Sequence, residues 1–284
     1  MFQRRFDFIE ELKREKAFKG ELLKDIRSGE VFPAIRNNRM DFYYKGGKLF
    51  SFGKKGLSTH IKYATTPEDN GKNYITEKEF SENRGALIKD FAINYYKIKR
   101  NCELYFKGSE SAGVSHLYSG YSFMKPRVDV VVLDVEISLE SIEDRSQDRI
   151  DVLLYSRRHK TLKFVEAKLY ANQEIRSNSK PRVIKQIERY NKQIKIKENE
   201  ILDAYKKYLE IVKELFNVTL NEPVKVLPGV GLYIFDFDDD QKKGNLSARI
   251  IPNLNRCNIK HYTKGDFTNI NAQTLWSKVT KICN

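Results

Sequence analysis

The chain has 284 residues, 40% hydrophobic and 12% aromatic, which is enough to bury a core and excludes a disordered polypeptide. Its formal net charge of +14 favours a polyanionic partner such as nucleic acid, although a lysine-rich codon usage would give the same excess. No apolar run approaches the ~20 residues of a membrane span, and the three cysteines form no metal or disulfide pattern, so we expect a cytoplasmic protein.

The first part of the chain predicts a small α+β module over residues 1–72. Apolar residues at helical spacing predict helices within residues 1–28, with a break near Lys19 and Gly20. Residues 30–39, which contain Pro33, are interpreted as a connection. Glycine pairs between aromatic runs predict a β-meander over Met40–Ala64. Its aromatic and basic side chains either bind nucleic acid or form the buried face of the sheet.

Residues 73–284 predict an α/β domain. Helical spacing begins near Ile75, and Gly108–Gly120 is interpreted as a glycine- and serine-rich loop. A β-branched run over Arg127–Leu139 predicts the first core strand.

Two apolar runs, Arg149–Ser156 and Thr161–Tyr170, are joined by a short basic turn and predict a hairpin. The first run carries Asp151, and the second carries Glu166 and Lys168, two positions apart and therefore on one face. The hairpin should bring these two carboxylates and one ammonium together. Carboxylate oxygens suit Mg²⁺, and a neighbouring lysine can orient water or stabilise a charged phosphate. A surface ion pair is the competing explanation, but the neighbouring residues are apolar.

A helical pattern then runs from about Pro181 to Phe216, with a break expected near residues 195–199. It carries Gln186 and Tyr190, four positions apart and so on one helix face. Asp151, the Glu166-Ala167-Lys168 triplet and the Gln186–Tyr190 pair follow one another in the order of a known signature. They resemble the PD-(D/E)XK nuclease superfamily and the QxxxY motif of its RecB-type branch. The resemblance covers roughly residues 76–240, and the family proline is absent because Arg149 and Ile150 precede Asp151.

The resemblance implies a restriction-endonuclease-like core, in which helices flank a mixed central sheet. It also implies a divalent-metal-dependent nuclease that hydrolyses phosphodiester bonds of DNA in defence, restriction or repair. The implied cofactor is Mg²⁺ or Mn²⁺. The implied metal ligands are Asp151, Glu166 and the backbone carbonyl of Ala167. The implied catalytic residues are Asp151, Glu166, Lys168, Gln186 and Tyr190. Glu136 and two helix acids, Glu79 and Glu82, are further candidates.

The rest of the chain predicts a strand over Lys225–Asp238, a short strand over Leu246–Pro252 and a final helix around Trp276. The acids at the end of the first of these strands, Asp236 and Asp238–Asp240, either bind a cation or are solvated turn residues.

Two other functions remain open. One is a catalytically silent nucleic-acid-binding or regulatory protein on the same fold, and the other is an effector in which residues 1–75 regulate a nuclease. The choice between DNA and RNA, the mode of cleavage, and the presence of a homo-oligomer or partner protein also stay open.

Overall fold

The computed structural model describes residues 2–65, 88, 90–106, 108–140, 147–176 and 181–281. Within these residues it is an α/β fold, in which helices flank an antiparallel four-stranded sheet and a mixed six-stranded sheet. The predicted boundary between residues 72 and 73 lies outside the described residues. So do Glu79, Glu82 and most of the helix predicted from Ile75.

The four-stranded sheet is built by the first part of the chain. Its strands run antiparallel in chain order: β1 (Val31–Ile35), β2 (Arg39–Tyr44), β3 (Gly47–Gly53) and β4 (Gly56–Ser58). The connection predicted around Pro33 is wrong, because Pro33 lies in β1 opposite Phe42. Since β1 is an edge strand of this sheet, a proline there need not break the ladder.

Most apolar residues of this sheet are core residues, whereas Tyr43 is half-buried. Phe42, Leu49 and Phe50 are fully buried, and Tyr44 is 7% exposed. They therefore form the buried face of the meander and are not free to stack on bases.

The six-stranded sheet holds the predicted hairpin at its centre. Its strands are β5 (Val130–Glu140), β6 (Gln147–Ser156), β7 (Thr161–Leu169), β8 (Lys225–Val226), β9 (Gly231–Phe235) and β10 (His261–Lys264). The order is β10-β9-β7-β6-β5, and β8 pairs with the first residues of β7. Strands β5, β6 and β7 are antiparallel, whereas β8 and β9 run parallel to β7, and β10 runs parallel to β9. The sheet is therefore mixed.

Helices and helical turns cover the two sheets. The α-helices are α1 (Ile9–Arg14), α2 (Leu23–Ser28), α3 (Ile61–Ala64), α4 (Tyr95–Phe106), α5 (Glu110–Tyr121), α6 (Arg182–Ile196), α7 (Glu198–Phe216), α8 (Asp239–Gln241), α9 (Ile251–Arg256) and α10 (Ala272–Thr280). Wider π-helical segments span Phe18–Leu22 and Lys242–Ile250, and 3₁₀ turns span Gln173–Ile175 and Phe267–Asn269. None of the described helices combines the length and apolar character needed to cross a membrane.

Two helix predictions are confirmed and two other predictions are wrong. The break at Gly20 is present, since its ψ of −120° is not helical, and α6 ends at Ile196 just before α7 begins. Gly108–Gly120 is not a loop, because α5 starts at Glu110 behind the N-cap Ser109. Leu246–Pro252 is helical rather than extended.

A buried ionic cluster ties the first residues of the chain to β5. The Asp134 carboxylate is fully buried and lies 3.0 Å from Arg4 Nη2 and 2.8 Å from Arg36 Nη1. It also accepts a 2.8 Å hydrogen bond from the Tyr205 hydroxyl. A buried charge is tolerated only when it is paired and hydrogen-bonded in this way. The cluster therefore holds α7 and the connection between β1 and β2 against β5.

Candidate active site

Three carboxylates stand opposite one another on the three antiparallel strands. The pairing of Val152 with Val165 makes Asp151 and Glu166 the next opposed positions of β6 and β7. On the other side, Val135 pairs with Val152 and Ile137 with Ile150, so Glu136 of β5 lies opposite Asp151. We call Glu136, Asp151 and Glu166 the carboxylate row. The hairpin predicted from the sequence therefore brings Asp151 and Glu166 together.

Lys168 lies on the Glu166 side of the row. Its Nζ is 3.0 Å from Glu166 Oε1, as expected for residues two apart on one strand face, and also 3.0 Å from Glu174 Oε2. Glu174 comes from the 3₁₀ turn that follows β7, whose N-cap Asn172 accepts a 2.8 Å hydrogen bond from the Glu174 amide. The ammonium is thus held between the sheet and the loop after it.

Glu110 is a further acid of the site that the sequence analysis missed. Its Oε2 is 3.7 Å from Lys168 Nζ, and its Oε1 accepts hydrogen bonds from the Leu169 amide (3.1 Å) and from Asn172 Nδ2 (2.5 Å). Glu110 opens α5, where Ser109 accepts a hydrogen bond from Ala112 N. A Ser-Glu pair at a helix start is the signal that could have revealed this residue.

A glycine allows α5 to approach the sheet closely enough for Glu110 to reach Lys168. A Cβ on Gly113 would lie 2.1 Å from Phe235 Cε2 on β9, which is far inside van der Waals contact. Gly113 is one helical turn beyond Glu110. The close packing of α5 on β9 therefore sets the height of the Glu110 carboxylate above the site.

Burial and like charge shift the pKa values of Asp151 and Glu166. Burial raises the pKa of Asp151 well above its usual range, and the neighbouring charges of Glu166 and Glu136 raise it further. Burial also raises the pKa of Glu166, and the Lys168 ammonium only partly offsets this. For Lys168, burial alone would lower the pKa, but Glu166, Asp151 and Glu110 together raise it above its usual value. Lys168 is accordingly an ammonium held by carboxylates.

Gln186 and Tyr190 brace the back of β6. Tyr190 is buried, and its hydroxyl donates a 2.7 Å hydrogen bond to the backbone carbonyl of Arg149. Gln186 Nε2 in turn donates a 2.7 Å hydrogen bond to the Tyr190 hydroxyl oxygen. The pair predicted on α6 therefore holds the strand two residues before Asp151, and it acts on the backbone of the site.

The Glu136 carboxylate is paired with Arg149. Glu136 has a φ of +51°, a left-handed conformation that is uncommon for a residue other than glycine. Its Oε2 accepts a 2.9 Å hydrogen bond from Arg149 Nη1. Glu136 thus contributes charge to the site, while its carboxylate is paired with an arginine.

The remaining atoms of the row suit a hard divalent cation. Glu166 Oε2 is a buried oxygen without a hydrogen-bond partner among the described residues, and such an orphaned acceptor calls for a cation or water. Asp151 Oδ2 accepts a 2.7 Å hydrogen bond from the Ala167 amide, which orients this carboxylate across the strands. Across the described ranges, no three His, Cys, Asp or Glu side chains form a group that could hold a metal. The carboxylates of Asp151 and Glu166 nevertheless supply oxygen atoms of the kind that Mg²⁺ prefers.

Two other features lie apart from the row. A shallow cleft of about 650 Å³ at the hairpin turn is lined by Arg127, Asp129, Arg157 and Arg158, among others. Asp238, a predicted alternative cation ligand, caps α8 by accepting a hydrogen bond from the Gln241 amide. Its carboxylate is therefore explained by the local fold.

Comparison of the chain with known protein families, with characterised proteins and with solved structures finds no match. The class of the site accordingly rests on its own geometry: an α/β fold with opposed carboxylates, a lysine two residues from one of them, and a tyrosine-braced strand.

Proposed function

We propose that the chain is a divalent-metal-dependent nuclease that hydrolyses phosphodiester bonds of DNA through a PD-(D/E)XK-type site. One observation carries the proposal. Asp151 and Glu166 stand opposed on β6 and β7, and Lys168 Nζ lies 3.0 Å from Glu166 Oε1. Opposed oxygen ligands beside an ammonium form the minimal set for positioning a cation, a water and a phosphate together.

The order of the elements supports a restriction-endonuclease-like core. A strand with the first acid precedes a strand with the second acid and the lysine, and the helix with Gln186 and Tyr190 follows. Two antiparallel pairs followed by parallel strands give the mixed sheet that this proposal requires. Glu110 at the start of α5 is a further candidate acid for this core, whereas Glu79 and Glu82 lie outside the described residues.

Each residue of the site has a separable role in the proposed reaction. Asp151, Glu166 and the carbonyl of Ala167 would hold Mg²⁺ or Mn²⁺. When bound, the ion lowers the pKa of water and offsets the charge that grows on the phosphate. Lys168 places a positive charge at the edge of the same site, where it can orient a water and stabilise a phosphate oxygen.

The surrounding residues fix the position of these groups. Glu174 and Glu110 hold the Lys168 ammonium from the loop and from α5. Tyr190 and Gln186 fix the backbone of β6, which keeps Asp151 opposite Glu166. Catalysis of this kind depends on ligands held within a fraction of an ångström, so these supports should affect the rate without touching the phosphate.

The test is cleavage of linear and circular DNA by the purified protein in Mg²⁺, in Mn²⁺ and in EDTA. We expect metal-dependent cleavage that is lost in Asp151→Ala and in Lys168→Ala. The matched control is Asp203→Ala with Lys206→Ala, which removes an exposed ion pair of 3.4 Å on α7 and should leave cleavage unchanged. Cleavage of the circular substrate would show an endonuclease, and cleavage of linear DNA alone would show an exonuclease.

Two outcomes would overturn the proposal. One is cleavage that persists in EDTA or in both site variants, because the activity would then lie elsewhere. The other is a folded wild-type protein that cleaves neither DNA nor RNA in either metal, although it binds them. That result would favour the catalytically silent nucleic-acid-binding function.

A further inference from the structure

Arg149 is an exposed guanidinium on the central strand of the site. It lies two positions before Asp151 on β6, so both side chains emerge from the same face of the strand, while Ile150 and Val152 between and after them are buried. Its side chain is 57% exposed. The cation therefore faces solvent beside the carboxylates rather than packing into the core.

Both the backbone and the guanidinium of Arg149 are held in place by neighbouring residues. Its backbone pairs with Ser138 of β5, and its carbonyl accepts the hydrogen bond from Tyr190. Its guanidinium donates through Nη1 to Glu136. A guanidinium has five N–H donors, so the contact with Glu136 leaves a fork of donors for an anion on the exposed side.

The left-handed backbone of Glu136 is what directs its carboxylate to Arg149. The buried guanidinium of Arg36 donates hydrogen bonds to the carbonyls of Val135 (2.6 Å) and Glu136 (3.3 Å) and so holds this conformation. A non-glycine residue at this φ costs free energy, and such strain persists only where surrounding contacts impose it. The strain here places one carboxylate against one arginine at the edge of the row.

The charge of the site requires a cation at this edge. Glu136, Asp151 and Glu166 would repel a phosphodiester that approaches the row. Lys168 offsets this charge at the Glu166 end, and Arg149 offsets it at the Glu136 end. Arginine is also the residue that binds phosphate oxygens with two parallel hydrogen bonds.

We propose that Arg149 binds a phosphate of the nucleic-acid substrate, and that Glu136 is the positioning residue that holds its guanidinium beside Asp151. The assignment of this phosphate to a cleaved strand rests on the proposed nuclease function, whereas the phosphate contact itself does not. The site thus has a cation at each end of the carboxylate row.

The first experiment measures binding without cleavage. Binding of a short fluorescein-labelled DNA duplex is followed by anisotropy in EDTA over a range of salt concentrations. Arg149→Met should weaken binding about tenfold and lower the slope of log K against log salt by about one, because one phosphate contact is lost. The control is Arg39→Met on β2, which removes an arginine of similar exposure (52%) that is also paired with a carboxylate.

The second experiment is a double-mutant cycle on kcat/KM. We expect Arg149→Met to lower kcat/KM by about 10- to 100-fold, the worth of a charge-assisted hydrogen bond, and Arg149→Lys to restore part of it. Glu136→Gln should lower kcat/KM several-fold in the wild-type background and should not lower it further in the Arg149→Met background. Such coupling is expected only if Glu136 acts through Arg149.

The binding and the kinetic experiments distinguish failure of the Arg149 proposal from failure of the nuclease proposal. If the wild-type protein cleaves no nucleic acid, the nuclease proposal fails, but the binding arm still decides whether Arg149 contacts phosphate. Equal binding and salt slopes for Arg149→Met and Arg39→Met would overturn the phosphate contact. If the fold-losses in kcat/KM of Glu136→Gln and Arg149→Met simply multiply in the double variant, Glu136 does not act through Arg149 and its positioning role is overturned.

Discussion

Replacing Asp151 with asparagine should stabilise the protein while abolishing cleavage. Asp151 lies between Glu136 and Glu166 in register, and burial together with these charges raises its pKa. Asparagine has nearly the same shape and can still accept the hydrogen bond from the Ala167 amide through its side-chain oxygen. The substitution therefore removes charge repulsion from the row without opening a cavity.

The size of the gain follows from the two opposed carboxylates. A like charge directly opposite across strands costs about 0.2–1 kcal/mol, so relief at two neighbours should raise the free energy of unfolding by about 1 kcal/mol. For a chain of this length, that corresponds to a rise of about 2 °C in Tm. The measurement is thermal unfolding in EDTA, with Asp203→Asn on the exposed face of α7 as the control that should not change Tm.

The pH dependence provides a second check with a defined sign. A carboxyl whose pKa is raised in the folded state binds more protons folded than unfolded, so wild-type stability falls as the pH rises through that value. The gain in unfolding free energy of Asp151→Asn over the wild type should thus be absent near about pH 4, the ordinary pKa of Asp, and should grow toward neutral pH. Addition of Mg²⁺ should raise the Tm of the wild type more than that of Asp151→Asn, because a ligand stabilises only the state that binds it. A variant less stable than wild type at neutral pH in EDTA would refute this reasoning.

Three further predictions concern the supports of the site and are measured by urea unfolding together with DNA cleavage. Tyr190→Phe should lower the free energy of unfolding by about 1 kcal/mol and slow cleavage. Tyr155→Phe loses a 2.6 Å hydrogen bond to Asn221 O and should lower the free energy of unfolding by the same amount without slowing cleavage. Equal cleavage by both variants would argue against a bracing role. Gly113→Ala should destabilise by about 1–3 kcal/mol through its contact with the ring of Phe235, whereas Gly120→Ala meets no atom within 4 Å and should not. Asp134→Asn should lower the free energy of unfolding by about 3–5 kcal/mol, because it removes the nearest counter-charge of two buried guanidinium groups and leaves Arg36 with only Asp41 at 4.0 Å. A loss below about 1 kcal/mol would contradict the role of that cluster.

The central hairpin could be predicted from the sequence because its information is local. Two β-rich runs and a short polar turn specify the pairing of β6 with β7, and that pairing alone brings Asp151 and Glu166 together. The helix α6 and its break from α7 could also be predicted from local sequence, because the amphipathic spacing is interrupted near Lys197. These predictions needed no knowledge of distant contacts.

The remaining parts of the site depend on distant contacts and could not be predicted in that way. Glu110 reaches Leu169 across 59 positions of sequence, and only the packing of α5 on β9 places it there. The left-handed Glu136 follows from a contact with Arg36, 100 positions earlier. The glycine and serine content of residues 108–120 also hid a helix, because tertiary packing overrode weak helix propensity.

The long reach of the first residues has a consequence for the order of folding. The amide of Phe2 donates a hydrogen bond to Glu200, 198 positions later, and Arg4 is bonded to Asp134, 130 positions later. During synthesis these early residues must wait for β5 and then for α7 before their contacts exist, and loop-closing contacts of such separation form slowly. Arg36, which holds Glu136, belongs to the same late-closing contacts. The geometry around Arg149 is therefore expected to be completed only after most of the chain has left the ribosome.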